Sequence, residues 1–303
     1  MRSDPDVMNK VIADVQFMIE YEPSFLIEEP EPYQHAFVSA GNQCSTDRDV
    51  IHLRLAVENI PDMKGATRVF DSGQAWSWYQ DGAQAYLVMK SITLEQPLWL
   101  AHIHSGGTQI IVYCNEYLVR SGKGRRVLVS PFCYPLDQLV CMYVLAQRQG
   151  AIIHAAGVRI ADKAYMFAGR SGAGKSTLTR QFAARQEMGL LSDDRIVVRK
   201  KQETFYAYGT PWPGEAGIAV NASAPLAGIF FLAQGTANTI TALGVRQALE
   251  RLLPVTSIPW YDREVVPKMF AFCEDVMTHV PTYELSFTPD RKVVEVVEQF
   301  VAT

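Results

Sequence analysis

The chain has 303 residues, 48% of them hydrophobic and 20% charged, with a net charge of −4 and a pI near 5.9. That composition supports a sizeable core and excludes a disordered chain, and the length fits one large domain or two ordinary ones. Slight acidity without a long basic run argues against nucleic acid as a partner; the densest basic patch, Lys123-Gly124-Arg125-Arg126, reads as a solvated hairpin turn.

The five cysteines, Cys44, Cys114, Cys133, Cys141 and Cys273, are odd in number and widely spaced, with no C-x-x-C. This fits a reducing cytoplasm better than a disulfide framework or a structural zinc site. The N-terminus, Met1-Arg2-Ser3-Asp4-Pro5-Asp6, lacks the apolar core of a signal peptide. No run of about 18 apolar residues marks a membrane span.

In chain order, a short helix is expected over Asp6–Glu20, followed by a β-rich region that fills residues 1–130. Ile51, Leu53, Leu55 and Val57 alternate with polar or small residues, the period of a half-buried strand. Tyr86–Lys90, Trp99–Ile103 and Gln109–Tyr113 have similar character. Turn signals separate them at Asp71–Gly73, Asp81-Gly82, Ser105–Gly107 and Ser121-Gly122. His102 and His104 share one strand face, without an evident third ligand for zinc. The segment Pro131–Pro135 marks the start of a second domain, residues 131–303.

That domain opens with a helix over Leu136–Gln149, stopped by Gly150. Strands are expected over Ala151–Ile160, Ala164–Ala168, Met188–Leu191, Ile196–Val198, Phe205–Tyr208, Leu226–Ala233 and Thr282–Phe287. Helices are expected over Ser176–Arg185, Gly244–Leu253, Pro267–Thr278 and Val293–Val301.

Gly169-Arg170-Ser171-Gly172-Ala173-Gly174-Lys175-Ser176 is a G-x-x-x-x-G-K-S segment set between a strand-like and a helix-like run. Glycines let backbone N–H groups close around polyphosphate oxygens, and a helix N-terminus adds a favourable dipole. Lys175 suits the β- and γ-phosphates, and the Ser176 hydroxyl suits Mg²⁺. Thr177 follows in the first turn. Asp193 lies 18 residues past Lys175, at the end of an apolar strand, and Asp194 follows it. An acid in that place suits the metal or the proton of an attacking hydroxyl; an exposed turn or helix N-cap is the blander reading. His154, 21 residues before Lys175, stands on an apolar strand, where a packed core histidine and an active-site histidine are both open.

Pro211-Trp212-Pro213-Gly214-Glu215 is a stiff loop able to present Glu215 to a metal or substrate, or simply a turn with a packed indole. Pro259-Trp260-Tyr261-Asp262-Arg263 is a second rigid aromatic segment; Arg263 suits a transferring phosphoryl group, or an ion pair with Asp262 or Glu264. Trp212, Trp260 and Tyr261 suit an aromatic-walled acceptor site or a packed core. Asn221 and Arg195 are candidates only for supporting roles behind the site.

The His154 strand, the Gly169–Ser176 loop and the Asp193-Asp194 pair, in this order and spacing, resemble the kinase domain of HPr kinase/phosphorylase and its relatives, which share a superfamily with phosphoenolpyruvate carboxykinase. The resemblance covers roughly residues 131–303. It implies an α/β fold in which a P-loop domain with a mixed sheet follows the β-rich N-terminal region. It also implies ATP and Mg²⁺, with Gly169, Arg170, Ser171, Gly172, Ala173, Gly174, Lys175, Ser176 and Thr177 around the nucleotide. His154, Lys175 and Arg263 would be catalytic, and Asp193 would accept the hydroxyl proton. Ser176, Asp194 and Glu215 would serve the metal. The family tends to form symmetric oligomers.

The family's Arg-Gly-Leu-Gly-containing signature is missing after Glu215, where Ala216-Gly217-Ile218-Ala219 stands. That points away from phosphorolysis and from HPr itself, and toward divergent kinases whose targets include small hydroxy compounds and peptides. The expected activity is therefore transfer of the γ-phosphoryl group of ATP to a serine-type hydroxyl on a protein, peptide or small molecule. A non-catalytic nucleotide-binding regulator is the alternative. A transporter-type ATPase ranks last, since its Leu-Ser-Gly-Gly-Gln signature is missing.

Overall fold

The structure is a computed structural model. It describes residues 4–39, 49–73, 75–91, 93–104, 106–122, 124–170, 172–185 and 188–302. Met1, Arg2, Ser3, Cys44, Ser105, Lys123 and Ser171, named above, lie outside the described residues. The chain is mixed α/β with large mixed sheets and a β-rich N-terminal region. It divides into two compact units, Met1–Val140 and Cys141–Thr303. The division falls inside helix α1 (Leu136–Ala146). The start of that helix is tied to the first unit, where Gln34 Nε2 donates to Asp137 Oδ2 at 3.4 Å.

The first unit holds twelve strands among the described residues: β1 (Asp6–Ile12), β2 (Val15–Tyr21), β3 (Phe25–Glu28), β4 (Val38–Ser39), β5 (Asp49–Ala56), β6 (Thr67–Asp71), β7 (Trp76–Asp81), β8 (Gln84–Met89), β9 (Trp99–Ile103), β10 (Gln109–Cys114), β11 (Val119–Gly122) and β12 (Arg125–Val129). Nine form one sheet in the order β4-β1-β2-β5-β10-β9-β8-β7-β6, and β11-β12-β3 form a smaller one. The helix expected over Asp6–Glu20 is instead the β1–β2 hairpin, with Ile12 opposite Val15. Its turn residues Ala13 and Asp14 both have positive φ, 51° and 60°, as a two-residue primed turn requires.

The second unit carries β13 (Gly150–Ile160), β14 (Lys163–Ala168), α2 (Lys175–Ala183), β15 (Met188–Ser192), β16 (Arg195–Lys201), β17 (Thr204–Tyr208), β18 (Ser223–Gln234), β19 (Thr239–Ala242), α3 (Val245–Leu252), α4 (Val265–His279), β20 (Thr282–Phe287) and α5 (Lys292–Val301). The sheet order is β14-β13-β16-β17-β18-β20-β19; β15 joins β13, and β14 also pairs with β18, so part of the sheet closes on itself. β14, β18 and β20 run parallel, and the other pairings are antiparallel.

Side-chain alternation along β13 and β14 sorts residues between two cores. Ile153, Ala155, Met166 and Ala168 pack with Ala248 and Leu252 of α3 and Met269, Phe272 and Val276 of α4. Ala156, Val158, Tyr165 and Phe167 pack with Leu178 and Phe182 of α2 and Val293, Val294 and Val297 of α5. His154 has the parity of Ala156 and Val158, so it stands on the α2 side of the sheet. No helix among the described residues is long and apolar enough to cross a membrane.

Candidate functional site

Strand β14 runs into Gly169, and α2 begins at Lys175. Gly172 and Gly174 have φ of 81° and 99°, left-handed values that glycine adopts without strain. A Cβ at Gly174 would also lie 2.6 Å from the Phe287 ring. The loop is braced from the end of β18, where the Gln234 carboxamide donates to the Gly172 carbonyl at 3.1 Å. Ser176 and Thr177 are half-buried in the first turn of α2, and Arg170 is exposed.

Lys175 folds back over its own loop, with Nζ donating to the carbonyls of Gly169 at 2.8 Å and Arg170 at 3.3 Å. Burial lowers its pKa, the Asp194 carboxylate opposes that, and Arg195 adds to it, leaving the ammonium below the ordinary lysine value.

Strand register brings the remaining groups to this loop. The β13–β14 ladder ends at Ala155 opposite Ala168, so His154 and Gly169 are the next residues on the two strands. On the other side of β13, Arg195 is directly opposite His154. Asp194 precedes Arg195, and its carbonyl accepts from the Ala155 N–H at 3.0 Å. Its carboxylate meets His154 Nε2 at 2.6 Å through Oδ1 and Arg195 Nη1 at 2.8 Å through Oδ2. Burial pushes the Asp194 carboxyl up. The His154 hydrogen bond and the charges of Arg195, His154 and Lys175 outweigh that and hold it below the ordinary carboxylate range.

Asp193 is turned elsewhere. It is 2% exposed, and its carboxylate accepts from three backbone amides, Gly214 at 2.9 Å, Ala216 at 2.7 Å and Ile218 at 3.2 Å. Its oxygens anchor the loop after Trp212. Of the two aspartates expected at the site, Asp193 is taken up by these amides and Asp194 is the one that meets His154. Gly214 makes the close approach possible, since a Cβ there would lie 3.0 Å from both Asp193 Oδ2 and Asp194 Cβ. Gly214→Ala is expected to loosen residues 214–218, read as faster limited proteolysis within them.

Glu215 and Arg263, also expected at the site, are both at the surface. The Glu215 side chain is 79% exposed, and its partner is Arg180 of α2 at 3.7 Å, so it projects outward from the Asp193-anchored loop. Arg263 is exposed at the entry to α4, next to Asp262, whose Oδ1 caps the amides of Glu264 and Val265. The segment leading to it is held against β13 at the Thr256–Ile153 bridge, where Ser257 N donates to Ile152 O. Trp212 is buried, whereas Trp260 is exposed against the edge of Phe270. Asn221 is exposed.

Sequence reasoning missed Gln234, and Arg195, expected in a supporting role, contacts Asp194. Gln234 carries a readable signal, a polar residue ending an apolar strand, as Asp193 does. In the first unit, His102 and His104 lie 4.1 Å apart between ring centroids, with Tyr86 stacked on His102. No group of three or more His, Cys, Asp or Glu positioned for a metal occurs among the described residues.

Residues 135–302 match the family described as SynChlorMet cassette protein ScmC. The match spans more than half of the chain, and the chain belongs to that family. No curated protein matches it. Among solved structures, the HPr(Ser) kinase/phosphatase from Coxiella burnetii is similar at 12% identity and a TM-score of 0.28, over 50% of this chain and 88% of that one.

Proposed function

We propose that the chain is an ATP- and Mg²⁺-dependent kinase that transfers the γ-phosphoryl group to a serine-type hydroxyl on a protein, peptide or small molecule, using an HPr kinase-like P-loop domain. The observation that carries this reading is the 2.6 Å contact of Asp194 with His154, placed by register beside the opening of the Gly169–Ser176 loop. An ionised carboxylate there has the chemistry of a proton acceptor, and Lys175 lies within its electrostatic reach.

The residues present fit a nucleotide. The glycine-permitted turns present backbone amides at a helix N-terminus, and the Lys175 ammonium occupies loop carbonyls from which it can turn to phosphate oxygens. Ser176 would hold Mg²⁺ together with phosphate oxygens, and the ion, when bound, neutralises charge on them. The acceptor oxygen bonds to the γ-phosphorus, the bond to the β–γ bridging oxygen breaks, and ADP leaves; the hydroxyl proton, which the resemblance gives to Asp193, goes in this reading to Asp194, in place of the metal role expected for it. His154 orients that carboxylate. The four described cysteines are free, which suits a reducing cytoplasm.

The test is transfer of label from γ-labelled ATP to a panel of serine peptides and small alcohols, with and without Mg²⁺. Calorimetry should also show ATP binding weakened about tenfold to hundredfold by Lys175→Ala, the worth of a charge-assisted contact. The engagement of Asp193 by amides and the outward placement of Glu215 favour a second reading, a nucleotide-binding regulator. Tight ATP binding without transfer to any acceptor would select it.

A further inference from the structure

The pair opposite His154 is more than a surface ion pair. Arg195 Nη1 reaches Asp194 Oδ2 at 2.8 Å and the Asp194 carbonyl at 3.3 Å. Both side chains are about three-quarters buried, at 27% and 28% exposure. Arg195 is itself fixed at both backbone ends. Its N–H donates to Ser192 Oγ at 3.3 Å, and its carbonyl accepts from Thr210 Oγ1 at 2.7 Å. A carboxylate held at one oxygen swings about its last bond, because that torsion is broad. Held at both oxygens by groups on opposite strands, it has one orientation.

We propose that Arg195 is a positioning residue: it clamps Oδ2 of Asp194 so that Oδ1 stays on His154 and the carboxylate plane stays fixed beside Lys175. The geometry stands by itself, and its consequence for catalysis rests on the kinase reading above. Arg195 acts through Asp194 and needs no contact with nucleotide or acceptor. Both contacts come from the single nitrogen Nη1, so a lysine ammonium retains them as far as its shorter stem reaches Oδ2.

The test compares Arg195→Met and Arg195→Lys with the wild-type chain in two measurements. In the first, ¹⁵N-histidine NMR at one fixed pH follows the Nε2–H signal of His154, assigned by its disappearance in His154→Asn. The signal is expected to be sharp and downfield in the wild type, shifted or exchange-broadened in Arg195→Met, and partly restored in Arg195→Lys. In the second, phosphoryl transfer is expected to fall about tenfold to hundredfold in kcat for Arg195→Met, with nucleotide KM changed by less than about twofold and partial recovery in Arg195→Lys. A folded Arg195→Met whose His154 signal matches wild type overturns the proposal, as does a rise in nucleotide KM with kcat unchanged. If Arg195→Met does not fold, Arg195→Gln, which also removes the charge, replaces it in both measurements, and a wild-type His154 signal in it overturns the clamp. If the wild type transfers no phosphate, the kinase reading falls and the imidazole signal still decides the role of Arg195.

Discussion

Asp194→Asn is expected to lower phosphoryl transfer about a thousandfold or more, roughly 4 kcal/mol of transition-state stabilisation. The amide accepts no proton from the attacking hydroxyl. It also turns a donor toward either His154 Nε2 or Arg195 Nη1, where the carboxylate offers an acceptor to both. Asp193→Asn should act by another route. Its oxygens receive Gly214 and Ile218 at Oδ1 and Ala216 at Oδ2, so a new NH₂ group confronts an amide N–H. The cost is about 1–3 kcal/mol of stability, with the 214–218 loop disordered first. Steady-state kinetics and thermal melts of both variants separate the two roles. Near-normal transfer in Asp194→Asn, with an undiminished melting temperature and lost transfer in Asp193→Asn, would reverse the assignment.

The same carboxylate sets a pH response. Its folded-state pKa is depressed, so its contribution to stability is present above the ordinary carboxylate range, near pH 4, and is lost as pH falls through the lower folded value. Asp194→Asn should flatten that part of an acid denaturation curve, measured by fluorescence between neutral pH and about pH 2.

Lys10→Ala is expected to destabilise the first unit by about 3–5 kcal/mol, the scale for leaving one member of a buried ion pair alone. The Lys10 side chain has 0% exposure and Glu29 has 4%, with Nζ 3.2 Å from Glu29 Oε2. The ammonium also donates to the Phe132 carbonyl at 2.8 Å and lies 5.4 Å from the centre of the Phe132 ring. Among the described residues the second carboxylate oxygen, Oε1, is buried with no hydrogen-bond partner, so removing Lys10 takes away the cation that faces the Glu29 charge. Removing both charges in Lys10→Met with Glu29→Gln should recover most of the loss. Urea unfolding of the single and double variants measures the coupling; equal midpoints for Lys10→Ala and wild type would show the pair to be energetically idle.

The β1–β2 hairpin shows why one element was misread. Met8, Val11, Ile12, Val15, Met18 and Ile19 repeat at helical spacing, and Ala13-Asp14 lacks the glycine or asparagine that normally announces a primed turn. The strands also hide polar residues, with Gln16 Nε2 donating to Asn9 Oδ1 at 3.0 Å inside the unit, so the period-2 signal is blurred. Only pairing with β5 and β4 makes the extended form the better one.

Local chemistry was enough to determine that a strand enters Gly169 and a helix leaves it, and that a histidine and an acidic pair belong to the same unit. Glycine freedom, apolar alternation and helix periodicity are properties of neighbours along the chain, and they are legible there. Which aspartate faces the lysine, and which arginine stands beside it, was decided by tertiary structure. Asp193 and Asp194 are chemically identical and adjacent. They are told apart only by three amides arriving from residues 214–218 and by the register that sets Arg195 across from His154.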